Sequence, residues 1–376
     1  MSRTAADGGS QKGNGPPKQD PAKNPTLSEK VKGYVRLIRF HSLLATCLAP
    51  VLAAYGAWTY QGILPGRHEL MILGNLFLVG AFIHVFMEVL NDYVDLRIDS
   101  KNPELSKKPL VSGIISKKEA MALIVLSTIL IFILAIPLFS ILNYIVLASC
   151  VALVALYDLF SKKNVHTPIF LAGWAFALGL FGGISAGGYT GLSDIPPLVW
   201  IICILGCAQM WMNTAILGHL KDVENDGGEG VLTFPIYLGV RVRGKKRPPR
   251  LIIPPHFKGL TLAFQVLNLA LAFIPLIFWD EFYSGPRFWY VALGALILLT
   301  ALIMWAQFKI LWYPLFDRKK LMRLMAVREV SAYFLVIALL IPICGLLVAV
   351  ILVLLPFVWF LVVNFLFTGN PMEPPI

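Results

Sequence analysis

Apolar runs of roughly twenty residues follow one another almost without pause between residues 36 and 367, and a chain written this way folds in lipid. Inside a bilayer the backbone must satisfy its own hydrogen bonds, so each run reads as a helix. Hydrophobic residues make up 57% of the chain and charged residues only 14%, against about 25% in ordinary soluble domains. The runs predict membrane helices near 36–62, 70–92, 119–139, 141–161, 168–189, 196–219, 259–279, 288–313 and 331–367. The last is too long for one crossing, and Pro342, Gly345 and Pro356 offer points at which it can break. The expected fold is an all-α polytopic membrane protein with nine helices, or ten if the last run divides.

Charge sets the orientation. The net charge of +11 is gathered in alternate loops. The side shared with the N-terminus holds Arg97, Lys101, Lys107, Lys108, Lys117, Lys118, Lys162, Lys163 and Lys221, then the basic residues of 241–250 and 318–328. The opposite side holds little beyond Arg67 and Arg287. The positive-inside rule predicts that the N-terminus and the long loops, about 92–118 and 219–258, lie in the cytoplasm. Residues 1–30 are rich in Gly, Pro, Lys, Ser and Asn and read as a disordered cytoplasmic tail, leaving 31–376 as one membrane domain. No short apolar stretch with a small-residue cleavage site precedes the first run, so no secretory signal is expected. The basic residues fall between spans, which argues against nucleic acid as a partner. The five cysteines sit in apolar runs without accompanying histidines or acids, which argues against zinc.

Two acidic clusters interrupt the lipid pattern: NDYVDLRID at 91–99 and DVEND at 222–226. On a helix Asp92, Asp95 and Asp99 share one face, Glu88 extends that stripe into the membrane, and His84 lies one turn deeper. Asp222 and Asp226 are likewise four apart. Carboxylates at a membrane boundary need partners. Two such faces across a cavity, with phosphate oxygens between them, are the ligands magnesium prefers. Magnesium on a diphosphate would favour departure of an allylic leaving group, and aromatic faces would stabilise the cation left behind. Tyr93, Tyr157, Trp174 and Trp211 are candidates for those faces, and Arg39, Lys108 and Lys162 for the diphosphate clamp, with Arg36, Lys107 and Lys163 as rivals. Each has a plainer reading. Arg39 can snorkel, the lysines can be topology charges, and the aromatics and His84 can be packing residues.

NDYVDLRID, then KKPLVSGIIS at 107–116, YDLFSKK at 157–163 and KDVENDGGEGVLTFPIYLG at 221–239 together resemble the UbiA superfamily of intramembrane prenyltransferases, over about residues 33 to 310. The resemblance implies a ring of helices around a central cavity, capped by the two motif loops. It implies Mg2+, an isoprenyl diphosphate donor, and a hydrophobic acceptor such as an aromatic ring or a lipid alcohol. By position Asn91, Asp92, Asp95 and Asp99 match the first motif, and Asp222 and Asp226 the second. Arg39, Lys108 and Lys162 or Lys163 match its basic residues. The chain departs from the pattern at Asp158, where the family often has serine, at 213–219 ahead of the second motif, and at His84 and Glu88. Those departures keep a terpene cyclase on the same scaffold in view, which would ionise the donor without an acceptor. A secondary transporter is a third reading, motivated by Glu88 within a span and a remote internal duplication.

Overall fold

The computed structural model describes residues 25–101, 105–138, 140–161, 164–187, 189, 191–228, 230–244, 248–279 and 286–369. The elements are α1 (Leu27–Leu37), α2 (Leu43–Tyr60), α3 (Arg67–Asp99), α4 (Lys117–Leu134), α5 (Ile141–Phe160) and α6 (Pro168–Gly187). They continue with α7 (Pro197–Trp211), a π-helical stretch (Met212–Gly218), α8 (Val223–Gly228), α9 (Phe234–Tyr237), and the strands β1 (Arg241–Arg243) and β2 (Arg250–Ile252). The chain then closes with α10 (Pro255–Phe278), α11 (Pro286–Trp312) and α12 (Arg318–Thr368). Among the described residues eight helices are long and apolar enough to cross a membrane. To these α4 adds an 18-residue helix that opens on Lys117, Lys118 and Glu119.

Helix α1 begins inside the segment expected to be irregular up to Lys30. Thr26 and Glu29 form a reciprocal capping box that fixes its start, a device worth about 1 kcal/mol. Lys30 then pairs with Glu119 of α4 at 2.7 Å. The disorder expected of residues 1–24 lies outside the described residues. The first span was expected from residue 36, but the helix breaks at Arg39 and restarts through a 3₁₀ turn, Phe40–Ser42.

Helix α3 has 33 residues and so runs about 50 Å, well beyond a hydrocarbon core of ~30 Å. Its last turns carry the first acidic cluster. The first motif loop was expected from residue 92. The structure keeps 92–99 helical, because the carboxylates there find basic partners rather than solvent. The second expected loop, 219–258, holds α8, α9 and an antiparallel β1–β2 hairpin, with Arg243 opposite Arg250. The two motif sequels share a turn in which glycine takes a left-handed backbone, at Gly113 (φ 76°) and Gly230 (φ 72°).

The last apolar run was expected to start at 331. Helix α12 starts at Arg318, because Arg328 finds buried partners and the helix can continue through it. Its 51 residues divide at Gly345, where φ 77° and ψ 161° interrupt the helix. Pro342 and Pro356 are accommodated within the helical limbs. The first limb packs on α10 and α7, where Leu335, Leu339 and Leu340 join Leu198 and Ile202 in one apolar cluster. The second limb returns. Trp359 donates its indole N–H to the Phe40 carbonyl at 2.9 Å, and the two rings lie 4.8 Å apart. The last run thus forms two limbs, and its second limb closes against the turn that leads into α2.

Candidate active site

Glu88, Asp92, Asp95 and Asp99 lie at three- and four-residue intervals along one face of α3, all four are buried, and Asn91 adjoins Asp92. Lys108, from the loop after α3, folds back over that face. Its ammonium lies 2.9 Å from Asp92 Oδ1 and 2.8 Å from Asp99 Oδ2. Burial works against the charged ammonium, yet the attraction of Asp92 and the hydrogen bond to Asp99 outweigh it and hold its pKa above that of a free lysine. Lys107, the rival candidate, is exposed.

Arg39 approaches from the other side. Its Nη1 pairs with Glu88 Oε2 at 2.8 Å and its Nη2 lies 3.6 Å from Asp92 Oδ1. One oxygen of Asp92 is thus shared by two basic side chains. Arg39 holds φ 44° and ψ 51°, the one left-handed conformation of a non-glycine residue among the described residues. Strain of this kind costs about 1–3 kcal/mol and persists where surrounding structure imposes it. His84 is part of what imposes it. Its Nε2 donates to the Ile38 carbonyl at 3.0 Å, and its Nδ1 accepts from the Thr46 hydroxyl at 3.1 Å. A neutral ring with its proton on Nε2 satisfies both contacts. His84 therefore ties α3 and α2 to the residue preceding Arg39.

Helix α5 brings a residue that sequence reasoning singled out only as a departure. Asp158 is 3% exposed and accepts from Asn91 Nδ2 at 3.2 Å, while its other oxygen is buried without a partner. It stands within electrostatic reach of Glu88, Asp95 and Arg39. Tyr157, half-buried beside it, lies near Asp158 and Asp95. Lys162 and Lys163 lie outside the described residues.

The second acidic cluster is differently built. Asp222 precedes α8 and accepts from Arg318 at both Nε (3.2 Å) and Nη2 (3.0 Å). Asp226 donates its backbone N–H to the Asp222 carbonyl at 2.9 Å, so the two residues bracket the first turn at the start of α8. This pair is half-exposed where the first cluster is buried. Arg318, read from sequence as one topology charge among several, is the basic partner of the second motif. Of the aromatic candidates, Trp211 is committed to packing against Phe234 and Phe264, and Trp174 is buried in the core.

The ligating chemistry fits a hard cation. The acidic atoms are carboxylate oxygens, and Asp92 and Asp99 each give only one oxygen to Lys108. Among the described residues no three acids, histidines or cysteines form a ready-made cage. That suits magnesium, which keeps several waters and takes one or two carboxylates together with substrate phosphate oxygens.

A family model described as the UbiA prenyltransferase family matches residues 43–314. A 4-hydroxybenzoate octaprenyltransferase from Marinomonas sp. (strain MWYL1) is 32% identical over 180 residues, 47% of this chain and 60% of the relative, so the alignment spans less than two thirds of that relative's length. The apo structure of a UbiA homologue from Aeropyrum pernix K1 superposes with a TM-score of 0.59 at 18% identity, covering 79% of this chain and 96% of that one. A UbiA homologue from Archaeoglobus fulgidus bound to GPP and Mg2+ superposes with a TM-score of 0.52 at 16% identity, over 81% of this chain and 99% of that one. These likenesses carry the fold, and the family model, which covers most of the chain, carries the relationship: the chain belongs to the UbiA prenyltransferase family.

Proposed function

We propose that this protein transfers the prenyl group of an allylic isoprenyl diphosphate to an aromatic acceptor within the bilayer. The observation that carries the reading is the pairing of Lys108 and Arg39 with the buried acids of α3. Basic donors and carboxylates alternate there over a few ångströms, as recognition of a diphosphate with its counter-ion requires. Family membership supports the reaction class. The Marinomonas relative is named for 4-hydroxybenzoate, and the A. fulgidus homologue was seen with GPP and Mg2+.

Magnesium, when bound around the diphosphate by one or two carboxylates drawn from Asp92, Asp95, Asp99, Asp222 and Asp226, would supply charge neutralisation for the leaving group. Lys108 and Arg39 would turn from the carboxylates to donate to diphosphate oxygens. Lys162, by its place in the motif, would do the same. Asn91 would orient the donor, and Glu88 would keep Arg39 aimed at it. The bond between C1 of the prenyl chain and the bridging oxygen breaks, and its electron pair leaves with the diphosphate. A ring carbon of the acceptor bonds to C1 and releases its proton. The phenol of Tyr157 would face the allylic cation. The basic loops place this site, in this reading, at the cytoplasmic face.

The test is turnover by purified protein supplied with geranyl diphosphate, 4-hydroxybenzoate and Mg2+. Prenylated acceptor and pyrophosphate should form together and stop on chelation with EDTA. Asp92→Ala and Asp226→Ala should each remove activity. Cyclic hydrocarbon from the donor alone would assign the cyclase reaction instead, and wild-type turnover in both aspartate variants would sink the site.

A further inference from the structure

Two grooves on the surface of the helical bundle are built alike. The first lies between α3 and α4 and is lined by Tyr93, Lys117, Lys118, Met121, Ala122 and Val125. The second lies between α11 and α12, where Trp305, Lys319, Lys320, Arg323, Leu324 and Val327 line it together with Asp317. Their volumes, about 520 Å³ and about 550 Å³, fall within the range of about 300–1,000 Å³ usual for ligand clefts. The lining positions of α4 (117, 118, 121, 122 and 125) have the same spacing as those of α12 (319, 320, 323, 324 and 327). In each groove one helix brings a pair of lysines in its first turn and apolar residues one and two turns later. The preceding helix brings a single aromatic ring. Met121, Val125, Trp305 and Val327 are all exposed, so both grooves open outward.

The basic groups of these grooves are not matched within the chain. Among the described residues Lys117, Lys118, Lys319 and Arg323 meet no carboxylate at ion-pair distance. The neighbouring acids are engaged elsewhere. Glu119 pairs with Lys30 at 2.7 Å, and Asp317 caps α12 by accepting from the Lys320 backbone N–H at 3.0 Å. Lys320 Nζ lies 4.2 Å from the centre of the Tyr313 ring, a contact that leaves its charge in place. A topology role asks only that lysines lie on one side of the membrane. It does not ask for a cleft, a ring and an apolar strip beside each pair. A soluble anion would have no use for the strip, and the allylic diphosphate has its own partners in Lys108 and Arg39. Cations, then an amphipathic ring, then aliphatic side chains match the profile of an anionic phospholipid: phosphate, interfacial esters, acyl chain. A zwitterionic lipid would add an ammonium group that the lysines repel.

We propose that each groove binds one anionic glycerophospholipid. Its phosphate lies at Lys117 and Lys118 in the first groove, and at Lys319, Lys320 and Arg323 in the second. An acyl chain follows Met121 and Val125, or Leu324 and Val327. The assignment stands apart from the prenyl-transfer reading. Each lipid would nonetheless border one acidic motif, since Tyr93 follows Asp92 and Arg318, the partner of Asp222, precedes Lys319.

Native mass spectrometry of the purified full chain, titrated in detergent with phosphatidylglycerol or phosphatidylcholine, counts the lipids retained. Wild type should hold two phosphatidylglycerol molecules about tenfold or more tightly than phosphatidylcholine. Replacing Lys117→Gln and Lys118→Gln together should remove one of the two. Replacing Lys319→Gln and Arg323→Gln together should remove the other, and all four changes should remove both. These four side chains are exposed, so the variants should unfold without lipid at the wild-type temperature. Arg241→Gln with Arg243→Gln changes two exposed basic residues of β1 outside both grooves, and should leave both lipids bound. Equal retention of the two lipids by wild type would overturn the proposal, as would full retention by the fourfold variant. A pair whose replacement changes nothing overturns the site in its own groove. Equal loss from the β1 variant would replace the two sites with diffuse attraction. Release of phosphatidylglycerol by inorganic phosphate, but not by chloride at the same ionic strength, would make the grooves simple anion sites and overturn the lipid assignment.

Discussion

Arg39 Nη1 stands 2.8 Å from Glu88 Oε2, and the backbone that delivers it there is left-handed. Charge and conformation at this residue can be separated. Arg39→Asn and Arg39→Val both remove the guanidinium, but asparagine tolerates a positive φ and a β-branched residue does not. Both variants should lose donor turnover. Arg39→Val should in addition be less stable than Arg39→Asn by about 1–2 kcal/mol in thermal unfolding. Equal stability of the two would mean that the turn is not strained.

Lys108→Met leaves Asp92 and Asp99 buried without their shared cation, a loss of about 3–5 kcal/mol for a broken buried pair. Added Mg2+ should stabilise this variant more than it stabilises wild type, because the ion takes over the neutralising role. A thermal shift with Mg2+ no larger in the variant would refute carboxylate binding of the ion at this face.

The pH dependence of the same contact has a definite sign. The folded state raises the Lys108 pKa, so its contribution to stability is complete below the ordinary lysine value of about 10.4 and is lost as pH rises through the higher folded value. Unfolding of wild type and Lys108→Met between about pH 6 and pH 9 should therefore differ by a constant amount. A difference that shrinks within that window would contradict the assignment.

His84→Phe fills the same space but cannot donate to Ile38 or accept from Thr46. Its effect should fall on the Arg39 turn. We expect KM for the allylic diphosphate to rise about tenfold, with KM for the acceptor unchanged. His84→Gln, which retains a donor, should recover part of the loss. Equal effects on both substrates would make His84 a packing residue only.

Arg318 and Asp222 form a half-exposed pair, so Arg318→Ala should change stability by less than about 1 kcal/mol. Asp222→Asn should be equally mild in unfolding and yet remove most turnover. A variant that keeps full activity would exclude Asp222 from the reaction.

The elements legible in the sequence were those written in local spacing. Asp92, Asp95 and Asp99 announce a shared helix face by intervals of three and four, and the length of each apolar run predicts its helix. The partner that Glu88 needed could be foretold, since a carboxylate within a span is costly, and the structure supplies Arg39. What stayed hidden depends on long-range packing. Arg318 and Arg328 looked alike as basic residues at the head of a span. Only the fold shows that one meets the carboxylate of Asp222 and the other three amides from two other helices. The isolated Gln209 and Gln265 in apolar runs were the signal available for the second. The turn at Arg39 was missed because residues 36–43 carry neither Gly nor Pro, and part of what holds it is the bond from His84 to Ile38, 46 positions apart.

The contact between Trp359 and Phe40 joins residues 319 positions apart. During synthesis the basic residue next to Phe40 therefore leaves the ribosome long before the element that props it. The early helices must wait in the bilayer with the Arg39 turn held from the His84 side alone until nearly the whole polypeptide has been made. Non-local closure of this kind is slow to form. A product released early, short of its final limb, would carry both acidic motifs and still lack a settled grip on the donor.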